Sequence, residues 1–128
     1  MEKGITFEFY DQIREVLGLP ETDVDSYSPL VLAYMGDCVY DLIIKSMVVS
    51  RGNKQVHRLH EETSSYVQAS AQSRMMRAMQ PHLTEEEHAI YRRATGFEAL
   101  VGYLFLKKRY ARLMELVKIG LDSLEEKE

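Results

Sequence analysis

The stretch from Pro29 to Val49 constrains the fold most, because it is an apolar run of helix length whose only charged residues are Asp37, Asp41 and Lys45. Those three are four positions apart, so at ~3.6 residues per turn they share one slowly drifting stripe while the rest of the circumference is apolar. A helix of this kind is expected to be buried. Asp41 precedes Lys45 at i, i+4, the favourable orientation for an ion pair on a helix. Asp37 has no such neighbour, since one turn away lie Ala33, Tyr34, Tyr40 and the acidic Asp41. An unpaired carboxylate in apolar surroundings costs several kcal/mol to desolvate, so Asp37 is expected to be paired across the fold, neutralised, or bound to a cation.

A second stretch repeats the pattern. Ala94 to Leu106 is again helix-length and apolar, with Glu98 as its sole charge. Two isolated acids in the two most apolar helices of a small protein repel if they meet, unless a divalent cation lies between them. From the residues alone two outcomes stay open, a shared hard-cation site or separate ion pairs to Arg or Lys elsewhere in the fold. Gly36, Gly96 and Gly102 fall within these stretches, where glycine costs up to ~1 kcal/mol relative to alanine. Their expected use is close approach of the two acid-bearing helices.

With 128 residues, a single domain spanning 1–128 is expected. No apolar run reaches transmembrane length without a charge, and Met1-Glu2-Lys3-Gly4 opens no signal-peptide core, which points to a cytoplasmic protein with no membrane partner. The single Cys38 excludes an intramolecular disulfide. Net charge is −4, which argues against a nucleic-acid partner until its distribution is read. Residues 1 to 30 hold seven acids and two bases, whereas residues 45 to 109 hold eleven bases and six acids. A local basic face of that kind can bind phosphates on an acidic protein.

Every legible segment reads as helix, about six to seven in all. Thr6 can cap a helix over Phe7 to Leu17 that ends at Gly18 to Pro20. Ser28-Pro29 is a cap and first-turn pair for the central helix, which must stop by Arg51-Gly52-Asn53. Asn53 can cap a helix to about Tyr66, and Ser70 to Met79 forms another, with Met75, Met76 and Met79 as core filler. Thr84 and Glu87 form a capping box for a short helix. Tyr110 to Leu124 forms the last helix. His57, His60 and Glu61 share a helical face but match no zinc motif. No phosphate-binding glycine loop or serine-hydrolase motif is present.

The segments Leu30-Val-Leu-Ala-Tyr-Met-Gly-Asp37-Cys-Val-Tyr-Asp41, Leu59 to Gln72, and Thr95-Gly-Phe-Glu98-Ala-Leu-Val-Gly102-Tyr-Leu resemble the catalytic domain of ribonuclease III, specifically its small bacterial branch, Mini-ribonuclease III. The resemblance runs from about residue 28 to 120 and implies an all-α helical bundle without an appended double-stranded-RNA-binding domain. It implies an endonuclease hydrolysing duplex RNA to 5′-phosphate ends, with Asp37 and Glu98 as catalytic ligands of Mg2+, for which Mn2+ can substitute. Larger members carry two further acids where this chain has Ala33 and Thr95. Asp41 and Thr95 are therefore candidates to complete the metal's surroundings. Lys54, Arg58, Gln72, Arg74, Arg92 and Arg93 are candidate RNA contacts. A homodimer and a large-subunit ribosomal RNA precursor as substrate are likewise implied. The alternative function is a non-catalytic RNA-binding or ribosome-assembly module of the same fold. One departure stands out: Mini members carry a basic loop between the glutamate-rich helix start and Tyr-Arg, where this chain passes directly from Ile90 to Tyr91.

Overall fold

The computed structural model describes residues 9–93 and 96–125. Seven α-helices and two short 3-10 turns make up the regular structure, with no strand among the described residues. The helices are α1 (Phe9–Leu17), α2 (Pro29–Ser50), α3 (Val56–Val67), α4 (Ala69–Met79), α5 (Glu85–Arg93), α6 (Phe97–Leu106) and α7 (Tyr110–Glu125). The all-α expectation is thus met.

Several boundaries follow from local chemistry. Ser28 Oγ accepts from the Val31 amide at 3.2 Å and Pro29 occupies the first turn, which starts α2 where the sequence indicates. Thr84 Oγ1 accepts from the Glu87 amide at 3.1 Å while Glu87 Oε1 accepts from the Thr84 amide at 2.9 Å, a reciprocal capping box opening α5. Gly18, at φ 63, supplies the left-handed residue that ends α1. Other expectations shift. α3 begins after Gln55 without a side-chain cap, not at Asn53, and α4 starts one residue before Ser70. α5 runs unbroken across Ile90 and Tyr91 to Arg93. Thr6 and Phe7 lie outside the described residues, and α1 buries none of its side chains.

α6 is the centre of the fold. Seven of its ten residues are buried, as a helix apolar on all sides requires. α2 lies across it as the most extensive helix pair, and α7 packs on α4. Two glycines set the α2–α6 distance. A Cβ at Gly36 would fall on the Glu98 carbonyl and 2.7 Å from the Gly102 amide nitrogen, and one at Gly102 would fall on the Leu32 carbonyl. Backbone therefore meets backbone at this crossing, which is the close approach expected of Gly36 and Gly102. Gly96 is instead the residue preceding α6. Met75, Met76 and Met79 fill the core as anticipated.

The buried central helix needs correction. α2 turns Leu32, Gly36, Val39, Tyr40, Ile44 and Val48 inward, but Leu30, Val31, Tyr34, Leu42 and Val49 face water, Tyr34 with 80% of its surface exposed. An all-round apolar helix is enclosed by its own chain or leaves a face for something else, and the hydropathy pattern is the same in both cases.

Candidate functional site at the α2–α6 crossing

The crossing carries the two isolated acids with it. Asp37 follows Gly36, whose backbone abuts Glu98, and Glu98 lies in the first turn of α6. Asp37 is exposed and Glu98 half-buried, so the desolvation expected of Asp37 does not arise: the face of α2 that bears it is open. Glu98 folds back towards the start of its helix, where a Cβ at Gly96 would stand 3.0 Å from Oε1. That end of a helix favours negative charge. Tyr40 packs edge-on against Phe97, with ring centroids 4.9 Å apart. Burial first, and then the charge of Glu98, raise the pKa of the Tyr40 hydroxyl.

Neither carboxylate makes a hydrogen bond or ion pair among the described residues. Of the two outcomes open from the sequence, ion pairing to a distant Arg or Lys is therefore not the one found. The donors fit a hard divalent cation. No group of three or more His, Cys, Asp or Glu that could hold a metal is present among the described residues, so the protein offers two carboxylates at this crossing. Mg2+ characteristically binds through one or two carboxylates, keeping water and substrate phosphate oxygens in its other positions.

The remaining candidates divide. Asp41 is held by Lys45 at 3.1 Å, the i, i+4 pair expected of them, and Thr95 lies outside the described residues. Lys54 is engaged by Glu62, whose carboxyl it holds below the ordinary range. Arg58, Arg92 and Arg93 are exposed. Arg74 donates to the Ser123 carbonyl at 2.9 Å and lines a groove with Ser65, Tyr66 and Glu125, which does not include Glu98. Gln72 donates to the Val67 carbonyl at 3.2 Å and lines the groove that contains Glu98.

That second groove, about 330 Å³, also brings in Ser73, Gln80 and Tyr91, which sequence reasoning passed over, and Arg77, which the sequence offers only as one of the basic residues of its middle stretch. Met76 and Phe97, both buried, form its apolar floor. The signal was available in part, since 73, 77 and 80 share one face of α4 at i, i+4 and i+7. What opposes that face is a tertiary fact.

The ribonuclease III domain model matches residues 30–109, a span that includes both acids. The Mini-ribonuclease 3 of Thermoanaerobacter sp. (strain X514) is 38% identical, with 84% of this chain and 90% of that protein covered. That of Clostridium tetani is 36% identical, covering 81% and 83%, and that of Symbiobacterium thermophilum 36%, covering 76% and 90%.

Proposed function

Because the chain belongs to the ribonuclease III family, whose members are endoribonucleases, we propose that it hydrolyses phosphodiester bonds in double-stranded RNA with Mg2+ held by Asp37 and Glu98. The observation that carries this reading is that one glycine-mediated helix crossing brings together the backbones of two acids, neither of which has a hydrogen bond or ion pair among the described residues. Keeping two acids together without a protein cation costs repulsion, and a divalent ion from solution removes it. When bound, Mg2+ supplies positive charge for phosphate oxygens and lowers the pKa of water, giving 5′-phosphate ends.

The chain's own part is to hold and to orient. Asp37 and Glu98 fix the ion on a rigid backbone contact, and the exposure of Asp37 leaves room for a duplex to approach. Arg92 and Arg93, in the last turn of α5, are exposed cations for the phosphate backbone. Lys54 and Arg58 are further candidates. Asp41, paired with Lys45, would reach the ion only through water. Recognition is by duplex shape, phosphate and 2′-hydroxyl contacts, and the substrate implied by the family resemblance is the large-subunit ribosomal RNA precursor in the cytoplasm. No described helix is long and apolar enough to cross a membrane.

The open apolar face of α2 supports a homodimer. Leu30, Tyr34, Leu42 and Val49 are exposed on the helix that also bears Asp37, and a second copy covering these four side chains, with Asp37 left open at the rim of their stripe, sets one acidic pair on each side of a two-fold axis. Light scattering is expected to give twice the chain mass, and a monomer for Tyr34→Glu combined with Leu42→Glu; a wild-type monomer sinks this element.

The deciding experiment is cleavage of a labelled RNA duplex with Mg2+, beside an EDTA control and Asp37→Asn. Metal-dependent cutting lost in the variant is expected. Duplex binding without cutting, with no effect of metal, favours the non-catalytic RNA-binding module instead.

A further inference from the structure

We infer that Arg77 is a substrate-binding residue whose guanidinium holds a backbone phosphate of the RNA strand lying in the groove beside Glu98. The inference rests on the nuclease reading above. The groove containing Glu98 is walled along one side by α4 and its C-terminal cap, from Gln72 to Gln80, and lined further by Tyr91 of α5. At ~1.5 Å per residue that wall is about 12 Å long, room for more than one nucleotide. Its polar groups are two amides and two hydroxyls, from Gln72, Gln80, Ser73 and Tyr91. These can donate to or accept from ribose hydroxyls and phosphate oxygens, the groups by which a duplex is gripped irrespective of sequence.

Arg77 is the one cation lining this groove among the described residues. Its hydrogen-bond partner among the described residues is neutral: Nη1 donates to Ser73 Oγ at 3.2 Å. Among the described residues no carboxylate within ion-pair distance offsets its charge, and a guanidinium carries five donors in all, so the charge and most of its donors remain for an incoming anion. The Ser73 contact also limits the freedom the side chain loses on binding. Arg74, three residues earlier on the same helix, is spent on the Ser123 carbonyl and lines the other groove, with Glu125. A phosphate held by Arg77 and one met at Asp37 and Glu98 thus belong to one strand running along α4. Arg77 thereby sets how that strand is placed relative to the bond that is cut.

The test is equilibrium binding of a labelled RNA duplex across a salt series in EDTA, using the full chain with Arg77→Ala, Arg77→Gln, Arg77→Lys and Arg74→Ala. Loss of one charged phosphate contact is expected to weaken binding about tenfold and to flatten the log–log salt slope by ~0.7 to 1 in Arg77→Ala and Arg77→Gln. Arg77→Lys retains the slope, and Arg74→Ala stays within about twofold of wild type with its slope intact. Because Arg77 is exposed, melting temperatures of its variants match wild type, and the two neutral variants guard against a folding defect in either. An unchanged slope in both, in a protein that binds and cuts duplex RNA, overturns the inference alone. Loss of slope in Arg74→Ala in its place does the same. A wild-type chain that neither binds nor cuts duplex RNA overturns the nuclease reading and this inference with it.

Discussion

The two ends of α6 treat acidic residues in opposite ways. At its C-terminal end Asp25, Glu86 and Glu87 are tied. The Tyr103 hydroxyl lies 2.7 Å from Glu86 and 3.1 Å from Asp25, Lys107 donates to Asp25 at 3.0 Å, and Arg109 to Glu86 at 2.9 Å. Nearby Glu87, only 3% exposed, is gripped by Arg112 through two bonds of 2.8 Å. At the N-terminal end Glu98 and its neighbour across the crossing, Asp37, have no such partners among the described residues. The same chain that satisfies these three acids with three cations and a hydroxyl leaves Asp37 and Glu98 without a partner among the described residues, where the backbones of α2 and α6 meet. Tied acids hold α5, α6 and α7 together, whereas untied ones are available to something brought from solution.

Swapping the character of the two ends is the most direct way to break this comparison. Asp37→Asn and Glu98→Gln each are expected to cut duplex cleavage by at least about a thousandfold, because a lost ion site forfeits several kcal/mol of charge stabilisation. Their melting temperatures should hold, since neither side chain has a hydrogen bond or ion pair to lose among the described residues. Residual cleavage near the wild-type level, or a marked fall in melting temperature, would place these acids with the structural set.

Arg112→Ala should do the reverse. Stranding the buried Glu87 costs about 3 kcal/mol of stability, read by denaturant unfolding, while cleavage by the folded fraction persists. A cost below about 1 kcal/mol would mean that water satisfies Glu87 without help.

The pH dependence sharpens the contrast. Arg112 first, then the Thr84 contacts, hold the Glu87 carboxyl below its ordinary range; Tyr103 and Arg109 do so for Glu86, and Lys107 with Tyr103 for Asp25. A lowered folded-state pKa contributes stability that is complete above the unfolded value, near 4.3 for glutamate, and is lost as pH falls through the folded value. Melting temperature should therefore be flat above about pH 5 and decline below about pH 4, with a shallower decline in Arg112→Ala. An equally steep acid limb in that variant would remove the Glu87 pair as its cause.

The smallest effect is expected from Tyr103→Phe. It deletes one hydroxyl shared by Glu86 and Asp25 and should cost about 1 kcal/mol, a few degrees of melting temperature, without altering cleavage. A change in cleavage would mean that the two ends of α6 are coupled.

Local chemistry was readable residue by residue. Ser28-Pro29, the Thr84 and Glu87 box and the Asp41 and Lys45 pair each engage groups within four positions, so neighbours in the chain suffice to specify them. The pairing of Gly36 with Gly102 could be inferred because a glycine inside an apolar helix costs stability unless two backbones meet there. The partner of Arg112, twenty-five positions away, could not be read, because any of several acids has the same charge. Nor could the choice between Arg74 and Arg77: both are exposed arginines of one helix, and only the position of α4, packed on α7 and facing the start of α6 across a groove, turns one towards Ser123 and leaves the other beside Glu98.

The sequence by itself determined that this chain is helical, that two helices are apolar on nearly every side, and that each of them carries an acid without a local partner. Those are consequences of periodicity and of contacts within a turn. Only the tertiary structure decided which of the two helices is enclosed, that Asp37 stands in water, and which groove Glu98 opens into. Each of these depends on what lies opposite a face, and hydropathy records how much a face would gain from burial without recording whether the chain supplies a neighbour to bury it.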